Sequence, residues 1–163
     1  MCHVRNFPLL KMWWGPLLMS EHSSLSLFAE GIVSLPDGYQ DRTVNVYTRP
    51  SSGTPAFNIS RDTMDTGETL PAYVDRQLAL MQKHLSGWNQ SGRSTVMLGD
   101  GLLQGEQVNA SYRREGKPVW QQQAVFNTQD SHILVFTMSS SEELNDSDNN
   151  LFSELLRSFR FHN

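Results

Sequence analysis

"STVMLGDGLLQGEQVNASYRREGKPVWQQQAVFNTQDSHILVFTM" (Ser94–Met138) holds four apolar runs separated by three turn signals: Gly99, Gly101 and Gly105, then Glu115-Gly116, then Gln129-Asp130. Strands joined this tightly pair antiparallel, because a parallel partner needs a crossover of a dozen or more residues. The stretch predicts an antiparallel meander. Upstream, "LSLFAEGIVSLP" reads as a first strand bent at Gly31 and closed by the turn Pro36-Asp37-Gly38. "TVNVYT" (Thr43–Thr48) and "AFNISRD" (Ala56–Asp62) alternate apolar with polar residues, and "RPSSGTP" between them suits a hairpin. Thr69 as N-cap and Pro71 in the first turn start a helix that ends near Leu85, before Gly87. "LFSELLRSF" (Leu151–Phe159) is a second helix with Phe152, Leu155, Leu156 and Phe159 on one face, and "SSSEELNDSDNN" before it is a polar loop or weak helix start. Strands, helix, a run of strands, helix: that order is α+β rather than parallel α/β.

Length and composition narrow the class. The 163 residues fit one domain with a real core. Hydrophobic residues are 38% and charged ones 18%, which is the balance of a globular chain rather than a disordered one. The formal charge is -4, and the thirteen Lys and Arg residues are scattered, so no basic stripe exists to neutralise a run of phosphates. Nucleic acid is therefore not expected as a partner. Cys2 is the single cysteine, so no intramolecular disulfide is available and a reducing compartment is the simpler setting. The amino end, "MCHVRNFPLLKMWWGPLLM", imitates a signal peptide poorly, because Gly15 and Pro16 break its apolar run and no A-x-A site follows. Residues 1–18 are read as an upstream-start or expression extension, and 19–163 as one domain beginning at Met19. No segment reaches the ~20 apolar residues that cross a bilayer.

The motifs for chemistry are absent. His3, His22, His84, His132 and His162 show neither H-E-x-x-H nor a Cys/His pair at ligand spacing, so no metal is expected. Asp62, Asp65, Gly67 and Glu68 lack the alternating oxygen ligands of a calcium loop and read as a solvated helix entry. No serine sits in G-x-S-x-G. No constellation fits an active site, and the chain is not read as an enzyme.

What stands out instead is amides on apolar faces. In "DRQLALMQKHL" (Asp75–Leu85) the stripe Tyr73, Val74, Leu78, Met81 and Leu85 has Gln77 in its middle. An amide buried there without a partner would cost about 1–3 kcal/mol. Along "VWQQQAVF", Val119, Gln121, Gln123 and Val125 point one way, and Trp120, Gln122, Ala124 and Phe126 the other. Such residues either cap backbone groups in an ordinary core or line an apolar groove that carries a few hydrogen-bonding groups.

The segments "LPDGYQDRTVNVYT", "NISRDTMDTGETLPAYVDRQL" and "REGKPVWQQQAVF", in this order and spacing, resemble the DcrB-like family, and within it the Eag-type chaperones of type VI secretion effectors. The match runs from about Phe28 to Arg160. The resemblance implies a curved antiparallel β-sheet with two α-helices, similar to the Mog1/PsbP-like class. It implies a cytoplasmic homodimeric adaptor without cofactor or catalysis. Its partners would be the N-terminal transmembrane helices of a PAAR-containing effector, of Rhs type, and indirectly the VgrG spike, with no insertion into the membrane. The family's groove positions fall on Val44, Val46, Ser60, Gln77, Met81, Leu85, Val119 and Gln123. One departure is Gln122, where relatives commonly carry a basic residue, a change the resemblance ties to cargo preference. The alternative within the family is an exported envelope protein with another binding task.

Overall fold

The computed structural model describes residues 25–51 and 53–162. The expectations for residues 1–18, for Met19 as the start, and for Cys2, His3 and His22 lie outside these. Where the sequence reads as one domain, the described residues divide into two compact units after Arg42. The first is a hairpin of β1 (Leu25–Phe28) and β2 (Gly31–Ser34), with Leu25 opposite Ser34 and Phe28 opposite Gly31. The single bent strand expected over this stretch is thus two strands. Ala29-Glu30 reverses the chain rather than bending it, since two residues suffice to join antiparallel strands.

The second unit contains β3 (Asn45–Tyr47), β4 (Ala56–Thr63), β5 (Ser86–Leu98), β6 (Leu103–Arg114), β7 (Lys117–Gln129) and β8 (His132–Ser140). They form one open antiparallel sheet in the order β3-β4-β8-β7-β6-β5. The meander is β5 to β8, and the β3–β4 hairpin adds to its β8 side. Two expectations are corrected. β5 extends well beyond "STVML", starting at Ser86 directly after a helix. Gly105 lies inside β6 rather than in a turn, because a Cβ there would sit 2.2 Å from the Val125 carbonyl oxygen and 2.5 Å from the Phe126 ring.

Helix α1 (Leu70–His84) starts as predicted, with Thr69 Oγ1 accepting the Ala72 N–H at 3.3 Å and Pro71 in the first turn. Helix α2 (Asp146–Arg157) begins five residues before the expected Leu151. Asn145 and Asp148 form a reciprocal capping box, each bond 3.0 Å, and Asp146 and Asp148 sit at the positive end of the helix dipole. Of the two readings the polar stretch allows, its end is thus the helix start. Phe159 falls beyond the helix but still packs with it, its ring centroid 6.2 Å from that of Phe136.

The sheet carries a core on each face. Leu98, Ala124, Phe126, Phe136 and Met138 meet Phe152 and Leu156 of α2. Val108, Val125 and Ile133 meet Tyr73 and Val74 of α1, together with Met64. Successive side chains of β7 alternate between the two, with Val125 under α1 and Ala124 and Phe126 under α2, as the strand period requires.

Candidate functional site

The face under α1 is not uniformly apolar. Across the sheet, register aligns Val46, Asn58, Thr137, Gln123 and Val108 in one row through β3, β4, β8, β7 and β6. Val108 belongs to the core beneath α1, so the whole row faces that side. Ser60 pairs with Val135 in the adjoining row, and Val135 packs on the same core. Val46 is 65% exposed, Asn58, Ser60 and Gln123 are half-buried, and Thr137 is buried. Gln123 Nε2 donates to Thr137 Oγ1 at 3.4 Å, beyond the best hydrogen-bond range. An apolar rim residue thus leads through two polar side chains, Asn58 and Thr137, to Gln123 and the core.

Helix α1 forms the wall beside this row. Gln77 follows the buried Tyr73 and Val74 by one turn and is half-buried. Among the described residues its amide has no hydrogen-bond partner, and partial exposure spares it the cost of full burial. Met81 lies one turn further on, and Gln121 Nε2 reaches its sulfur at 4.0 Å. Val119 shares the Gln121 side of β7 and lies opposite Tyr112. The structure therefore places Val46 and Gln123 in one row, Ser60 in the adjoining one, and Met81 against the strand that carries Val119 and Gln123. Val44 and Leu85 stand outside the rows: the first is 50% exposed just before β3, the second is the half-buried C-cap of α1.

Asn58, Thr137 and Gln121 are the neighbours that sequence reasoning did not assign. Asn58 was legible only as the polar side of a strand whose apolar side is Phe57 and Ile59. Nothing in that alternation says which polar side faces a helix rather than water. Gln122 stands on the opposite face from Gln123, as strand parity places it. It is buried on the α2 face, where its amide donates to Asn149 Oδ1, so it lies away from the groove positions and seats α2 instead.

Ion pairs fasten the start of α1. Arg93 of β5 donates to Asp75 of α1 and, at 2.9 Å, to Glu106 of β6. Tyr73 Oη donates to Asp62 Oδ2 of β4 at 2.6 Å, and burial followed by this bond holds the phenol above its ordinary pKa. Asp62, Asp65 and Glu68 thus serve helix entry. Glu68 accepts from Arg76 Nε at 2.8 Å and Nη2 at 2.9 Å, and from the Asp65 N–H at 2.8 Å. The Arg76 hydrogen bonds, foremost, lower its pKa from 4.5 to about 2. A depressed carboxylate stabilises the fold fully above its unfolded value and loses that contribution as pH falls through the folded one. Glu68→Gln is expected to lower the unfolding midpoint near neutral pH and to bring it toward that of the parent between pH 4.5 and 2. Urea titrations across that range check this, and parallel midpoint curves for the two proteins would refute it.

Two cavities lie on the other face. One of about 430 Å³ is bounded by Tyr47, Arg49, Phe57, Asp148 and Leu151, and one of about 140 Å³ by Asn109, Trp120, Gln122, Leu144 and Asn149. Neither includes a predicted groove position. Among the described residues no three His, Cys, Asp or Glu side chains gather as metal ligands, and no helix is long and apolar enough to cross a membrane.

Residues 30–158 match the DcrB family profile. A Pseudomonas aeruginosa protein described as effector EagT6 is 29% identical over 124 residues, covering 69% of this chain and 78% of that protein. In structure the chain is similar to a Pseudomonas aeruginosa protein of unknown function, PA94, with a TM-score of 0.67 at 22% identity over 85% of this chain and 96% of that one. It is also similar to cyanobacterial PsbP (CyanoP) from Synechocystis sp. PCC 6803, with a TM-score of 0.50 at 13% identity over 86% and 94% of the two chains. These two likenesses agree with the α+β fold, an open antiparallel sheet with two helices among the described residues.

Proposed function

Because the chain belongs to the DcrB family, we propose that it is a type VI secretion effector chaperone and adaptor of the Eag type. Its cargo in this reading is the N-terminal transmembrane helices of a PAAR-containing effector of Rhs type, which it shields in the cytoplasm as a homodimer until the effector is loaded onto the VgrG spike. No catalytic step is required.

One observation carries the reading: the α1 face combines an exposed apolar rim at Val46 with half-buried amides at Gln77 and Gln123. A helix built for a bilayer is apolar outside and carries small or polar residues where it packs on its neighbours. A soluble surrogate must therefore offer apolar area and a few amides. Burying about 1,000 Å² of apolar surface is worth tens of kcal/mol gross at ~25 cal/mol per Å², against about 0.5–1.5 kcal/mol for each hydrogen bond. Burial sets affinity, and the glutamines set fit and register.

Co-expression of the full chain with the N-terminal helices of a PAAR effector, followed by size-exclusion chromatography without detergent, tests the proposal. A soluble co-eluting complex is expected. Helices that precipitate while this chain elutes folded and alone would overturn it, and fractionation would then test the exported alternative. Gln77→Ala is expected to weaken capture by about 3- to 10-fold, the worth of one hydrogen bond. The thermal midpoint of the free protein should stay unchanged, because the Gln77 amide has no partner to lose among the described residues. Matching losses of stability and capture would remove Gln77 from the site.

A further inference from the structure

Helix α1 is held at one end. In its first half Tyr73 and Val74 are 3% and 2% exposed, and Leu70 and Leu78 pack on the same core. Tyr73 is tied to Asp62 of β4, and Arg93 of β5 reaches Asp75, the Pro71 carbonyl at 3.3 Å and Glu106 of β6. Past Leu78 the fastening changes. Ala79, Leu80, Gln82, Lys83 and His84 are exposed, and Met81 meets the sheet through the Gln121 amide at 4.0 Å from its sulfur, a weak acceptor.

The chain beyond has slack. Leu85 caps the helix and β5 begins at once, with Gly87 at φ 65° and register shifts between Ser86 and Asn89 and between Gln90 and Gly92. Each shift interrupts the hydrogen-bond ladder and bends the strand. Few buried apolar contacts and a broken ladder make a segment cheap to open locally.

We infer that Ala79–Leu85, with the bulged start of β5, is an adjustable wall. It lifts from β7, hinged on the fastened first half of α1, and admits an apolar helix between Met81 and Gln121. Gln121 is 7% exposed, and among the described residues its side-chain partner is that sulfur alone, so lifting frees the amide for a stronger acceptor on the incoming helix. The identity of the occupant rests on the chaperone reading; the hinge does not.

Native-state hydrogen exchange of the full chain tests the hinge. Amides of residues 80–85 and 88–92 are expected to exchange ~100-fold faster than those of 74–78, with one shared urea dependence marking a common opening. A single rate across 73–85 would overturn the hinge. Use of the wall is tested with Met81→Cys/Gln121→Cys in a Cys2→Ser background, bridged by a short bifunctional maleimide. The probe is a synthetic Leu-rich helix of ~20 residues with a central serine. Bridging is expected to weaken capture at least ~10-fold relative to the same variant unbridged. Equal capture by both forms would overturn the wall. Failure of the parent chain to bind the probe would instead overturn the occupant and the chaperone reading together, leaving the exchange result to decide the hinge.

Discussion

Val46→Asp is expected to abolish capture of an apolar helix while leaving the free protein as stable as the parent. Val46 is 65% exposed on the three-residue edge strand β3, where a substitution removes little packing and shifts stability by no more than about 0.5 kcal/mol. In a complex the same position lies on the row that runs through Asn58 and Thr137 to Gln123. A carboxylate pressed there against an apolar helix would be buried without a partner, at a cost of about 3–5 kcal/mol, or a factor of 100 or more in affinity. Val46→Ala, which removes only apolar area, should cost far less. Titration of the helix probe with both variants, alongside urea unfolding of each free protein, separates the effects. Undiminished capture by Val46→Asp would take the β3 rim out of the site.

The second large effect concerns the fold. Phe126→Ala should destabilise the protein by about 3–5 kcal/mol, the usual loss for emptying an aromatic site in a packed core. Phe126 is 0% exposed, meets Phe136 edge-on at 6.0 Å between centroids, and fills the space that Gly105 leaves by lacking a Cβ. Against a total stability of about 5–15 kcal/mol, the thermal midpoint should fall by on the order of 10 °C. The urea midpoint should drop with the slope unchanged. A shift below about 1 kcal/mol would mean that the α2 face is not the principal core.

These two residues differ in the kind of information that reveals them. Phe126 and its neighbours alternate through a strand bounded by the turns Glu115-Gly116 and Gln129-Asp130, so strand period and turn chemistry identify the strand and which of its residues share a side. The capping residue Thr69 and first-turn Pro71 likewise announce α1. Local signals misled, or left a choice open, where two meanings share one composition. Asn145-Asp-Ser-Asp148 has the polarity of a loop and the spacing of a capping box, and only the bonds between Asn145 and Asp148 distinguish them. Ala29-Glu30 lacks the usual turn residues, so a hairpin resembled a bend.

Order along the chain, with its short connections, determined the antiparallel α+β class, because backbone pairing and side-chain period are local properties. Parity also put Val119 and Gln123 on one side of β7 before any partner strand was known. Only the tertiary structure decided that β4 pairs with β8, a contact between residues 69 to 83 positions apart. That pairing brings Val46 into the row of Gln123, and places Gln122, one residue away, on the opposite face against Asn149. A polar residue on a strand carries no mark of whether water, a helix or a ligand will face it. That depends on which elements cover each side of the sheet, and so on contacts between residues far apart in the chain.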